Sequence, residues 1–167
     1  MTEVSIMEEA RGVRYWLMKT EPEAFSISDL RRKKRAHWDG VRSFQARTQL
    51  QAMRIGDLAL FYHSSTEPPG AVGLCRVVRE AYPDHTQFDK KSQYYDARAT
   101  KDAPRWFMVD VEFVERFPTM VTLADIKADP ALETMLVVRR GQRLSVQPVE
   151  AGHMRHILEK ARAKTEL

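Results

Sequence analysis

This sequence has little of what catalytic and membrane proteins commonly carry. It holds one cysteine, Cys75, inside the apolar run AVGLCRVV, so an internal disulfide and a thiolate-based metal centre are both excluded. A lone cysteine in such a run reads as a small buried hydrophobe. Only 7 glycines occur, and none builds the GxGxxG or GxxxxGK[ST] loop that cradles a phosphate. PGAVG, at 69–73, begins a strand instead of opening a helix and reads as a hairpin connection. The nucleophile elbow GxSxG, the zinc motif HExxH and the CxxC pair are also missing. No apolar run approaches the roughly 18 residues that span a bilayer, and MTEVSIMEEARGVR at the start has no apolar stretch behind a basic one. These absences predict a soluble intracellular protein, cytoplasmic in a bacterial cell and nuclear in a eukaryotic one, with no cofactor, no metal and no membrane partner.

What is present suits one domain. At 167 residues, 43% hydrophobic and 30% charged, the chain can bury a core and stay soluble. The expected layout is a flexible lead-in over 1–12, a single domain over 13–163 and a tail over 164–167. The net charge of +4 is unevenly spread: between Arg31 and Arg54 eight basic residues face one acid, Asp39, so this segment is +7 and the remainder −3. Such a local surplus suits a phosphate backbone, and Arg31, Arg32, Lys33, Lys34 and Arg35 are the expected phosphate contacts. A solvated face is the plainer alternative for the same run.

Periodicity places the elements. RYWLMKT (14–20) reads as a short buried strand, and Ser26 or Ser28 caps a short helix over SISDLRRKK. Phe44 to Met53 reads as a helix anchored by Phe44, Leu50 and Met53. LALFYHS and AVGLCRVVREAY are strands joined by a turn, and RWFMVDVEFVERF alternates as a half-buried antiparallel strand. The intervening stretch 83–104 has no period and reads as a functional or mobile loop, a candidate lid. Thr122 and Asp125 form a capping box, Pro130 opens another turn, and Met154, Ile157, Leu158 and Ala161 mark a C-terminal amphipathic helix. The predicted class is α+β, a mixed or antiparallel sheet curled into a partial barrel and flanked by short helices.

HWDGVRSFQART (37–48) carries the densest chemistry. Trp38 precedes the turn pair Asp39-Gly40, where an indole face can be offered to a ligand. Tyr15-Trp16, Tyr94-Tyr95 and Trp106 add aromatic faces, Ser43 and Gln45 can read a base edge, and Arg42 and Arg47 can hold flanking phosphates. Trp106 is expected to pack the sheet, and Tyr94 or Tyr95 to close over a bound base. His63 and Ser64 end a strand, but neighbours on a strand face opposite ways, so His63 is poorly placed as a base for Ser64. Pocket lining and a structural role both fit His63. His85, His153 and His156 show no ligand spacing, and no catalytic constellation emerges.

The blocks YWLMKTEP, HWDGVRSFQAR, MRIGDLALFYHS, PGAVGLCRVV, AYPDHTQFD, YYD, PRWFMVDVEFV and RLSVQPV, running in order from Tyr15 towards Leu158, resemble the EVE domain family. The resemblance implies a PUA-like twisted β pseudo-barrel, similar in architecture to the YTH readers of methylated adenine. It implies that Lys19 and Thr20 end the first strand at a pocket, that Trp38 with Gly40 and Val41 forms a cage wall, and that His63 and Ser64 stand beside it. Ser145 and Trp16 complete the expected lining. Ser43 and Phe44 stand where the family commonly has Asn and Tyr. The implied function is a non-catalytic reader of a modified base, methylated or hydroxymethylated, in DNA or RNA. A small enzyme acting on modified nucleotides and a small-molecule or protein-binding sensor are the alternatives.

Overall fold

Two β-favouring runs, each too apolar on alternate positions to sit in water, pair into the long antiparallel hairpin on which the rest of the chain is built. They are β4 (Gly70–Pro83) and β5 (Phe107–Thr122) in a computed structural model that describes residues 11–167. The other elements are β1 (Tyr15–Thr20), α1 (Ile27–Lys33), β2 (Arg35–His37), α2 (Phe44–Ala52), β3 (Leu58–His63), α3 (Leu123–Ala128), β6 (Val146–Val149) and α4 (Ala151–Lys160). Short 3-10 turns occur at His85–Phe88, Pro130–Leu132 and Leu136–Val138. The strands form one open sheet in the order β2-β5-β4-β3-β1-β6, with β1 and β3 parallel and the other pairs antiparallel. Register shifts recur along β4 and β5, and each one adds local twist. The result is the predicted α+β class, a strongly curled mixed sheet of PUA-like architecture.

Residues of β1 and β3 are apolar at nearly every position because both faces of the sheet are covered. Trp16, Met18, Ala59 and Phe61 point into one core with Ile27 and Leu30 of α1 and Ala46 and Leu50 of α2. Leu17, Leu58, Leu60 and Tyr62 point into a second core with Ile126 of α3 and Met154, Ile157 and Leu158 of α4. Period-two alternation thus divides each strand between two helical layers. α1 starts at Ser26, whose hydroxyl and partner Asp29 form a capping box, and α3 starts at the Thr122–Asp125 box.

One expectation changes. Phe44 is no core anchor: it opens α2 and is 56% exposed, its ring stacked on Trp106 at 5.2 Å. Of the lead-in 1–12, residues 1–10 lie outside the described residues, and Arg11 is tied to Asp57 at 2.9 Å and to the Ala52 carbonyl at 3.2 Å. The tail is docked on the sheet, since the Lys164 and Thr165 amides donate to the Glu115 carboxylate at 2.8 and 3.0 Å. No helix among the described residues is long and apolar enough to cross a membrane.

Cys75 is fully buried in β4, and burial pushes its thiol up to about 12. A thiol-reactive dye should therefore label native protein only as fast as it unfolds, with immediate stoichiometric labelling in denaturant. Immediate labelling of the native protein would contradict this burial.

Candidate functional site

The loop that follows β2 is held from below by a buried carboxylate. Asp84, at the end of β4, has no exposed surface, and its oxygens accept from the Gly40 amide at 2.8 Å, the Arg42 guanidinium at 3.0 Å, the Thr86 amide at 2.8 Å and the Thr86 hydroxyl. Burial alone would raise this carboxyl, but the bonds from Thr86, Gly40 and Arg42 outweigh it and hold it below the usual carboxylate range. Gly40 has φ +80, and the Tyr94 ring lies so close over it that a Cβ would sit 2.7 Å from the ring. Only glycine meets both demands.

Held this way, the chain before Gly40 stays extended: the Trp38 amide donates to the Val109 carbonyl at 2.7 Å, prolonging the β2–β5 ladder. Alternation then sends His37 and Asp39 outward and Trp38 inward. The indole is 6% exposed and meets Phe61 edge-on at 5.5 Å and Phe25 at 6.3 Å. The freely offered face expected from the sequence is thus a covered one, because the first residue of the loop continues the β5 pairing and turns its indole onto Phe61 and Phe25. Phe61 in turn touches the His63 ring at 5.7 Å.

His63 closes β3 opposite Thr20, and the Ser64 amide donates to the Thr20 carbonyl at 3.0 Å. The Lys19 amide donates to the Ser145 carbonyl at 2.8 Å. Lys19, Thr20, His63, Ser64 and Ser145 are therefore assembled at one end of the sheet, joined to Trp38 through Phe61. Burial lowers the Lys19 ammonium from its ordinary value, and no carboxylate among the described residues pairs with it. Its nearest partner is the Tyr62 ring at 5.9 Å. His63 is neutral in this setting, because its Nε2 accepts the Ile27 amide at 3.2 Å, and burial together with Arg116 lowers its pKa. A nitrogen engaged in holding the first turn of α1 is not a free general base.

Other predicted site residues have structural work. Trp16 is buried in the same core as Trp38, and its indole donates to Asp57 at 3.0 Å, beside Arg11 and the Arg54 amide. Arg42 directs its guanidinium at the Tyr94 carbonyl, the Val41 carbonyl, Asp84 and Thr86, which leaves no donor for a phosphate. Arg47 donates to the Arg105 carbonyl at 2.7 Å and lies over Phe44 at 4.8 Å. Ser43 caps α2 by accepting from the Ala46 amide at 3.2 Å, Val41 is buried, and Gln45 is exposed on α2. Arg31, Arg32, Lys33, Lys34 and Arg35 are all exposed, with Arg32 near Asp29 at 3.0 Å and Arg35 near Glu112 at 3.5 Å.

The stretch 83–104 is pinned and is not a free lid. Buried Gln87 donates to the Asp84 and Trp106 carbonyls and accepts from the Arg105 and Trp106 amides. Asp96 accepts from the Trp106 indole at 2.8 Å and from Arg105 at 3.1 Å. A shallow cavity of about 280 Å³ lies over this segment, lined by Arg42, Tyr94, Tyr95, Arg98 and Trp106. Sequence reasoning missed Asp84, Gln87, Phe25 and Phe61. The Asp-x-Thr spacing of Asp84 and Thr86 signals a cap, but nothing local signals its reach to Gly40 and Arg42.

Residues 14–160 match the EVE domain family. Thymocyte nuclear protein 1 of Mus musculus is 45% identical over 163 residues, spanning 86% of this chain and 72% of that protein. A crystal structure of a Pseudomonas syringae protein superposes with a TM-score of 0.86 at 46% identity, covering 88% of this chain and 99% of that one. Human THYN1, crystallised in complex with 5-methylcytosine-containing DNA, superposes with a TM-score of 0.84 at 40% identity, covering 92% of this chain and 99% of that one.

Removing the Asp84 charge strands Arg42, so Asp84→Asn should lower unfolding free energy by about 3 kcal/mol. Asp57, like Asp84, is held below the ordinary carboxylate range despite its burial, by Arg11 and the Arg14 and Arg54 amides. For these aspartates and for His63 the folded value lies below the unfolded one, so the unfolded chain takes up the proton first. The contribution of these three groups should be full above about pH 6.5, fall as His63 is protonated, and fall again below about pH 4. Denaturant titrations across pH test this, and Asp84→Asn should flatten the second fall.

Proposed function

The chain belongs to the EVE domain family, and from that membership we propose that it is a non-catalytic nucleic-acid reader that takes a modified base of DNA into an aromatic site centred on Trp38. The observation that carries this reading is the likeness to human THYN1, solved with 5-methylcytosine-containing DNA, over 92% of this chain. The chemistry at the end of β1 supports it. Lys19 is a half-buried cation without an acidic partner among the described residues; its ammonium lies over the Tyr62 ring, and its amide is bonded to the Ser145 carbonyl at the same end of the sheet as Thr20. An ammonium in that state is stabilised by a carbonyl oxygen of a base or by a phosphate, either of which restores the hydration it has lost.

Phe25, partly exposed and edge-on to Trp38, borders the covered indole, so a modest shift of the Phe25 ring would open an apolar surface on which a methyl group and a base face are stable. The exposed basic run Arg31–Arg35 leads along β2 directly into Trp38, which puts sequence-independent phosphate attraction next to the reading site. With His63 engaged by Ile27, binding and not turnover is the chemistry on offer. Extrusion of a paired base costs a few kcal/mol, so unpaired or weakly paired nucleotides are favoured.

Fluorescence anisotropy with matched oligonucleotides, DNA and RNA, with and without 5-methylcytosine, tests the proposal. Wild type should prefer the modified DNA. Trp38→Phe and Lys19→Gln should each erode that preference, the first by changing the aromatic face and the second by removing the cation. Arg31→Gln with Lys33→Gln and Lys34→Gln should weaken modified and unmodified strands alike and flatten the salt dependence. Equal affinity for modified and unmodified strands, untouched by Trp38→Phe, would overturn it.

A further inference from the structure

We propose that His37, Asp39 and His85 form a binding site for one divalent transition-metal ion, of the zinc, cobalt, nickel or copper class. Its donors flank Trp38 and face outward, and the site does not depend on the base-reading proposal. The two histidines stand 48 positions apart in the sequence and have no motif spacing, yet the fold brings their donors together. A nitrogen from each imidazole and a carboxylate oxygen of Asp39 all lie within 4.8 Å of one another. His37 Nε2 is 3.5 Å from Asp39 Oδ2, and the rings of His37 and His85 meet edge to face at 4.9 Å between centroids.

The backbone that carries these side chains is already fixed. His37 ends β2 opposite Asp110, and the outward turn of positions 37 and 39 follows from the inward placement of Trp38. His85 opens the 3-10 turn directly after Asp84, whose carboxylate holds the Gly40 amide. The bond between Asp84 and Gly40 therefore sets the separation of His85 from Asp39. Around a tetrahedral ion with bonds near 2.0–2.1 Å, donors stand about 3.3 Å apart. Closing from the observed spacing takes rotation of surface side chains and no movement of the main chain.

The donor set selects the ion. Imidazole nitrogens favour zinc, copper, nickel and cobalt over magnesium and calcium, which require oxygen ligands. Two imidazoles and one carboxylate fill three positions and leave at least one for water or another oxygen ligand. An ion here would join the Trp38 strand to the His85 turn, so it should also stabilise the folded state by binding it preferentially.

Cobalt titration of the full chain, free of any polyhistidine tag, is followed by visible absorption, and zinc binding by calorimetry. Wild type should bind one equivalent, with the intense visible bands of a low-coordinate cobalt site. His37→Ala and His85→Ala should each weaken binding roughly 10–100-fold, and Asp39→Asn should weaken it less. Zinc should raise the melting temperature of wild type but not of His85→Ala, while the metal-free variants melt with wild type. His153→Ala and His156→Ala should bind as wild type does. Absence of saturable binding would overturn the proposal, as would binding that survives His37→Ala and His85→Ala or is lost in His156→Ala.

Discussion

The fold's functional end depends on one buried negative charge. Asp84 lies at the point where β4 leaves the sheet, and it draws in the Gly40 amide, the Arg42 guanidinium and the Thr86 turn at once. A carboxylate without solvent is tolerated only when its oxygens are fully matched, so the three segments have one stable arrangement relative to it. That arrangement keeps residues 37–39 extended along β5 and sends Trp38 into the aromatic cluster. Arg42, committed to Asp84, Thr86 and the Tyr94 carbonyl, passes the constraint on to the long segment before β5.

Asp57 does comparable work at the start of β3. It gathers Arg11, the Arg14 and Arg54 amides and the Trp16 indole, so both the chain entry and the turn before β3 converge on it. Between these two anchors the central strands alternate their side chains into two cores, one under α1 and α2 and one under α3 and α4. Lys19, Thr20 and His63 therefore stand on strand ends supported by both cores.

Much of the fold was legible because it is written in local pattern. Alternation marked β5, a serine N-cap marked α1, the Thr122–Asp125 capping box marked α3, and Met154, Ile157 and Leu158 marked α4. The site was legible only in part. Residue types around HWDGVRSFQART pointed to aromatic and basic chemistry, and the family resemblance supplied Lys19, Thr20, His63 and Ser64, which the fold brings to one sheet end. Tertiary partners decided the rest. Arg42 looks free in the sequence and is consumed by Asp84, Thr86 and the Tyr94 carbonyl, Arg47 turns inward to the Arg105 carbonyl, and Trp16 is taken by Asp57. Phe44 fits a helical core stripe yet sits at the first turn of α2, where it faces Trp106 and solvent. His37 and His85 become neighbours only through a contact between residues 40 and 84.

The most direct test of Trp38 as the reading residue uses the 3 tryptophans as internal controls. Their indole N–H resonances can be followed by NMR as an unpaired 5-methylcytosine strand, and then its unmodified counterpart, is added. Trp16 and Trp106 donate to Asp57 and Asp96, which gives each a distinct and shielded environment. A large shift of Trp38 with the modified strand, much smaller with the unmodified one, and a quiet Trp16 in both is the predicted result. Identical responses to the two strands, or a Trp38 signal that does not move while the strand binds, would contradict the account.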